Sequence, residues 1–152
     1  MVRKFILDTD WFTDCDDCIA LRFLLGNLDE KHQLLGINVN ATTEYSYASV
    51  KAFLEDAGVE YPIALDEENM YLGATRYQKN MAHGSIYTNR DAEKSVEFYK
   101  RILEQNDNVE ILSIGFLSSI EKVFRQYPEL AQNKIKKIWV CIQKWQQTVS
   151  LI

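Results

Sequence analysis

Phe5-Ile6-Leu7-Asp8-Thr9-Asp10-Trp11-Phe12-Thr13-Asp14-Cys15-Asp16-Asp17-Cys18-Ile19-Ala20-Leu21 is the stretch on which the reading of this chain turns. Its first residues are a short apolar run, the pattern of a buried strand. Its last residues, continued through Leu24 and Leu25, carry apolar side chains at helical spacing. Between the two stand five aspartates, Asp8, Asp10, Asp14, Asp16 and Asp17, and no Lys or Arg falls between Lys4 and Arg22. Two carboxylates ~4 Å apart repel by about 1 kcal/mol in water and several times that when partly buried. A fold that gathers them at a strand end therefore needs positive charge nearby. The helix amino terminus supplies roughly half an elementary charge. A bound cation supplies the rest, and hard oxygen donors select Ca²⁺ or Mg²⁺ over Zn²⁺. Helix capping and dipole preference account for Asp14, Asp16 and Asp17. They give no reason for Asp8 and Asp10, which stand at the strand end.

Outward from this stretch, strand and helix patterns alternate. Residues 4–8 read as the first strand and 14–26 as the first helix, with Gly26 near its end. Residues 34–40 are a second strand, apolar enough to be buried on both faces. Thr42 or Thr43 is expected to cap a helix reaching about Ala57, with Val50, Phe53, Leu54 and Ala57 on one face. Residues 61–65 are a short third strand. Residues 66–88 have little periodicity, and a loop that long inside a domain is often a binding loop; it holds His83. Asn89 is expected to cap a helix whose core face is Ala92, Val96, Tyr99 and Leu103. Residues 109–114 are a fourth strand, followed by the turn Gly115–Ser119 and a helix on which Ser118 and Glu121 fit a capping box. Pro128 opens about one helical turn, and residues 135–142 are a fifth strand. Lys144 to Ile152 shows no clear pattern.

This alternation predicts an α/β fold: a doubly wound, mostly parallel sheet of about five strands with helices on both faces. Residues 1–145 form the domain and 146–152 a tail. In the common order third-second-first-fourth-fifth, the acidic turn and Gly115–Ser119 are neighbours at the carboxyl edge of the sheet, where such folds bind ligands.

Composition narrows the classes. With 152 residues, 47% hydrophobic and 26% charged, the chain fits one globular domain. A net charge of −5 argues against a nucleic-acid surface. No apolar run approaches the ~20 residues of a membrane span, and no signal-peptide pattern precedes Phe5. Three cysteines, an odd number, point to a reducing cytoplasm. Cys15 and Cys18 form a C-x-x-C, but reactive thiols need positive neighbours and these have aspartates. Zinc would have to draw on Cys141, His32 and His83, which are scattered.

Ile6-Leu7-Asp8-Thr9-Asp10, with Thr13-Asp14, Asp16-Asp17 and Ala20-Leu21, resembles the amino-terminal signature of the inosine-uridine-preferring nucleoside hydrolase family. Ile111 to Ser119 resembles that family's second motif, usually Gly-Pro-Leu-Thr-Asn after an apolar strand, and the likeness extends over roughly residues 3–145. It implies Ca²⁺ held by Asp10, Asp17 and the backbone carbonyl of Ser118. It implies Asp10 as general base on a water at the ion, and Asp16 as the holder of ribose hydroxyls. Asn40 and His83 are further candidates for the sugar pocket. The substrate is then a ribonucleoside or related riboside. Phe12 stands where the family has Gly, Phe116 and Ser119 replace Pro and Asn, and Ile142-Gln143 replaces a Gly pair. Family members continue for about as long again, bringing another aspartate ligand, ribose-binding residues and a histidine that assists the leaving base. Little nucleosidase activity is therefore expected of this chain alone. A homo-oligomer or a separately encoded second half is expected as partner. Two other classes compete. One is a non-catalytic remnant of the same fold. The other is a haloacid-dehalogenase-like, Mg²⁺-dependent phosphatase, suggested by Asp8-Thr9-Asp10 after an apolar strand.

Overall fold

A computed structural model describes residues 2–11, 15–71 and 73–141. The opening apolar run forms strand β1 (Arg3–Thr9), which leads into helix α1 (Asp16–Gly26). Strand β2 (His32–Val39) and helix α2 (Ser46–Asp56) follow, then β3 (Ile63–Leu65) and the short α3 (Arg76–Met81). After a 3₁₀ turn at Asn89–Asp91 come β4 (Glu93–Lys94), α4 (Ser95–Gln105), β5 (Val109–Ser113), α5 (Ser118–Gln126), α6 (Pro128–Lys134) and β6 (Ile135–Val140). Residues 146–152, read as a tail, lie outside the described residues, as do Phe12, Thr13 and Asp14 of the opening motif.

The sheet has six strands in the order β4-β3-β2-β1-β5-β6, and every pairing is parallel. The predicted order of the five longer strands is the observed one. The added strand, β4, is only two residues long and lies on the edge beside β3, too short for any sequence period.

Side-chain alternation along β1 explains the two-sided core. Phe5 and Leu7 face one layer with Ile37, Val39, Ile63 and Leu65, under Leu21 of α1 and Val50 and Leu54 of α2. Ile6 faces the other with Val109 and Ile111, under Phe98, Tyr99, Ile102 and Leu103 of α4 and Ile120 and Val123 of α5. Each such side chain, fully buried, contributes about 1.5–3 kcal/mol. Among the described residues no helix is long and apolar enough to cross a membrane.

Several expected boundaries move, each for a visible reason. Helix α2 starts at Ser46 because Thr42 bonds the carbonyl of Asp66 (2.9 Å) and Thr43 shapes the preceding turn, its backbone N–H donating to Ser46 Oγ (2.8 Å). Asn89 does not cap α4. Its Oδ1 accepts from the backbone N–H of Tyr47 at 3.1 Å and its Nδ2 donates to the carbonyl of Thr43 at 2.7 Å, so it serves α2 instead. Ala92 precedes α4, and the core face of that helix is Phe98, Tyr99, Ile102 and Leu103. No side chain caps α5: Leu117 is its N-cap residue and Ser118 its first helical residue, so the Ser118–Glu121 box is not formed. Strand β6 ends at Val140, before Cys141, and Ile142 of the expected strand lies outside the described residues.

Candidate functional site at the carboxyl edge of the sheet

Asp8, near the end of the central strand β1, is fully buried. Tyr99 Oη donates to its Oδ2 at 2.5 Å and Asn38 Nδ2 to the same oxygen at 2.9 Å, while Asn40 Nδ2 donates to Oδ1. Burial pushes its carboxyl up to about 6, against the pull of those three donors. Asn40, just beyond β2, is spent in the same network. Its Nδ2 also donates to the carbonyl of Phe116 (2.7 Å), and its Oδ1 accepts from the N–H of Phe116 (3.1 Å). One amide therefore ties β1 to the turn after β5.

That turn is pressed onto β1. A Cβ built on Gly115 would lie 2.7 Å from Asn40 Oδ1 and 2.8 Å from the Thr9 carbonyl carbon, and would also meet the Asp10 nitrogen. Only glycine fits such an approach.

Asp10 follows β1 and is half-buried; Asp17, in the first turn of α1, is buried. Their carboxyl groups are hydrogen-bonded to one another, and Thr9 Oγ1 donates to Asp17 Oδ1 at 2.6 Å. Burial first, and then the bond to Asp10, push the Asp17 carboxyl up to about 8. Both causes act against a charged carboxylate at Asp17. Trp11 fixes the backbone beside Asp10. It is fully buried with φ +45°, an uncommon conformation for a bulky residue. Its indole Nε1 donates to Ser49 Oγ (3.0 Å), its N–H donates to Thr9 Oγ1 (3.2 Å), and its carbonyl accepts from Gln78 Nε2 (2.5 Å).

A second polar group stands at the end of β3. Asp66, buried, accepts from Lys122 Nζ (2.7 Å), Ser119 Oγ (3.2 Å) and Ser118 Oγ (3.4 Å). Lys122 also pairs with Glu68 at 2.9 Å. Asn69 Nδ2 donates to the carbonyl of Asn40 at 2.6 Å, so the loop after β3 joins the same edge.

The structure thus brings Asp10 and Asp17 into contact and sets Asp16 beside them, exposed, with its Oδ1 accepting from the N–H of Asp17 at 3.0 Å. It commits every polar atom of the Asn40 side chain to the protein. Ser118 turns its hydroxyl to Asp66. His83 is exposed and lines a recess with Ala52, Glu55, Met81, Gly84, Ser85, Ile86 and Tyr87, which includes none of the aspartates. Among the described residues no cluster of three or more His, Cys, Asp or Glu side chains could hold a metal ion. The donor chemistry of Asp10 and Asp17 fits a hard divalent cation; their number supplies only part of a coordination shell of six to eight oxygens. Sequence reasoning missed Asp66, Lys122 and Tyr99. Asp66 had a signal, since it directly follows a strand whose carboxyl end lies on the ligand-binding edge. Lys122 and Tyr99 had none, because only the packing of α5 and α4 brings them there.

No family model matches the sequence, and no curated protein matches it. Solved structures do. An inosine-uridine-preferring nucleoside hydrolase from Bacillus anthracis superposes with a TM-score of 0.68 at 17% identity over 91% of this chain and 50% of its own. An inosine-guanosine nucleoside hydrolase gives 0.67 at 17% over 94% and 50%. A purine-preferring ribonucleoside hydrolase from Gardnerella vaginalis gives 0.64 at 19% over 91% and 48%. The fold is shared with these enzymes, and the chain spans about half of their length.

Proposed function

We propose that this chain carries the amino-terminal part of a nucleoside N-ribohydrolase site, with Asp10 and Asp17 as carboxylate ligands of Ca²⁺ (or Mg²⁺) and the Ser118 carbonyl as a further one. The observation that supports it most is the contact of the Asp10 and Asp17 carboxyl groups at the carboxyl edge, with Thr9 Oγ1 donating to Asp17. A divalent cation in this place would lower the pKa of water bound to it. Asp10 accepts the proton of the attacking water as its oxygen joins the anomeric carbon and the C–N bond to the base breaks, through an oxocarbenium-like transition state. Asp16, exposed at the head of α1, accepts hydrogen bonds from the ribose hydroxyls. Asn40 acts behind the site by holding Asp8 and the Phe116 turn, a positioning role in place of direct sugar contact. The three unpaired cysteines suit a reducing, cytoplasmic setting. The outer edge of β6 is the surface for a second copy or for a chain supplying the rest of the fold.

Calorimetric titration with CaCl₂ tests the reading. Weak binding, on the order of 10⁻⁴–10⁻³ M, is expected in the wild type and none in Asp10→Asn or Asp17→Asn. A wild type that binds neither Ca²⁺ nor Mg²⁺ overturns it. With only these ligands the chain alone is expected to release ribose from inosine or uridine at near-background rates. Robust release would show that no further half is required.

The phosphatase alternative needs Asp8 as an open nucleophile. Asp8 is sealed in the core, with Tyr99, Asn38 and Asn40 on its oxygens, which disfavours that chemistry. Turnover of p-nitrophenyl phosphate with Mg²⁺, lost on Asp8→Asn, would restore it.

A further inference from the structure

The turn that follows β5 does not stay over its own strand. Ile114 N–H donates to the carbonyl of Asp8 at 2.8 Å, and Gly115 packs against the Thr9–Asp10 peptide, so the turn first meets the end of β1. Phe116 is then held through both its N–H and its carbonyl by Asn40, just past β2. Ser118 and Ser119 reach Asp66, just past β3. In a sheet ordered β3-β2-β1-β5, the segment therefore crosses the carboxyl ends of β1 and β2 and is fastened at that of β3.

The far fastening is built with some care. Asp66 is buried, and its two oxygens divide the work. Oδ2 accepts from Ser119 Oγ at 3.2 Å and from Ser118 Oγ at 3.4 Å. Oδ1 accepts from Lys122 Nζ at 2.7 Å and from the N–H of Glu68 at 3.3 Å. The backbone of Asp66 is itself fixed: its N–H donates to the carbonyl of Val39 at 2.9 Å and its carbonyl accepts from Thr42 Oγ1 at 2.9 Å. A buried carboxylate needs a counter-charge, and Lys122 supplies it. Such a pair adds little net stability, but it holds one geometry against others.

That geometry matters because a main-chain ligand cannot adjust by a side-chain rotation. The oxygens around Ca²⁺ lie at about 2.3–2.6 Å, so whatever sets the backbone at residue 118 decides whether its carbonyl can serve. Resting on the cation reading above, we propose that Asp66 is the positioning residue for the Ser118 carbonyl. From the end of β3 it fixes the first turn of α5 through the two serine hydroxyls, with Lys122 as its counter-charge.

Tb³⁺ in place of Ca²⁺ on the full chain tests this, because its emission lifetimes in H₂O and D₂O count the waters on the bound ion. Asp66→Ala is expected to add about one inner water, where the carbonyl is lost, and to weaken Tb³⁺ binding about 10–100-fold. Ser118→Ala combined with Ser119→Ala leaves the ion pair and the main-chain carbonyl in place, and should add the same water. Asp66→Asn combined with Lys122→Met keeps an oxygen for the serines and should return the wild-type count. Circular dichroism and melting temperature establish that each variant is folded; a loss of stability alone lowers occupancy without changing the hydration of the ion that is bound. An unchanged count in the serine pair overturns the proposal, as does a count in the Asn–Met variant as high as in Asp66→Ala. A wild type that binds neither Tb³⁺ nor Ca²⁺ fails differently: it removes the cation reading, and this inference with it.

Discussion

At Asp17, burial and the neighbouring Asp10 carboxyl act in the same direction, and both oppose ionisation. The ionised side chain is therefore costly to the fold at neutral pH. Asp17→Asn removes the ionisable group while keeping an oxygen for Thr9. It is expected to raise the melting temperature of the metal-free protein by a few degrees at pH 8, where ~1 kcal/mol corresponds to a few degrees in a domain of this size. It should change little at pH 5, and it should abolish stabilisation by Ca²⁺. Differential scanning calorimetry with and without CaCl₂ reads all three; a variant less stable than wild type at pH 8 would contradict the account. Trp11 shows the opposite economy. Its positive φ is held by three hydrogen bonds and complete burial, so Trp11→Ala is expected to cost about 3–5 kcal/mol, measured by urea unfolding. The gathering of Asp10 and Asp17 at the strand end was legible from the acidic run itself, whereas Asp8 is taken up by Tyr99, Asn38 and Asn40 inside the core. The lock applied by Trp11 was not legible, since Gln78 and Ser49 reach it only through tertiary packing.

Among the elements, the long ones were readable and the short ones were not. Strands β1, β2 and β5 are buried on both faces, and their unbroken apolar runs say so. Strand β4 and helix α3 are too short to show a period and exist because neighbours hold them. Helix α3 is tied down where Gln78 Nε2 meets the Trp11 carbonyl and its Oε1 accepts from the N–H of Thr75 at 3.0 Å. Helix α5 misled the reading for a different reason. Ser118 and Glu121 have capping-box spacing, but Leu117 is the N-cap residue and Ser118 already lies in the first helical turn, its hydroxyl donating to Asp66. The contact between the β3 loop and α5 rests on Lys122, only 13% exposed at its side chain, against the buried Asp66. Lys122→Met leaves that carboxylate without its cation, at an expected cost of about 3–5 kcal/mol. Adding Asp66→Asn in the same chain should recover most of it, because an amide needs no counter-charge. A double variant no more stable than Lys122→Met, by chemical unfolding, would mean the ion pair does not couple the two elements.

Over the whole molecule, the buried carboxyls set opposing pH trends whose balance can be worked out. Asp8 and Asp17 have folded-state values pushed up to about 6 and about 8, mainly by burial. A raised carboxyl binds more protons folded than unfolded, so stability falls as pH rises from the unfolded value near 4 through the folded one. Glu110 behaves oppositely. Arg3 Nε and Nη2 donate to its two oxygens at 3.0 and 2.8 Å, and Trp139 Nε1 donates at 2.8 Å, holding its carboxyl down at about 2. Its contribution is complete above the unfolded value of about 4.5 and is lost as pH falls through about 2. The metal-free protein should therefore be most stable near pH 4–5 and decline on both sides. The acid decline belongs to Glu110 and the neutral-to-alkaline decline to Asp8 and Asp17. Glu110→Gln is expected to lower stability at pH 5 by about 2–3 kcal/mol and to converge with wild type near pH 2. On the proposed reading, saturating Ca²⁺ would bind only the folded chain and add stability by mass action. It does so most at high pH, where the ligands need not release a proton, so the optimum should move upward. A melting-temperature profile from pH 2 to 9, recorded with EDTA and with CaCl₂, decides the matter. A metal-free optimum at pH 7 or above would mean that Asp17 ionises freely, and with it would go the case that its pairing with Asp10 marks a cation site.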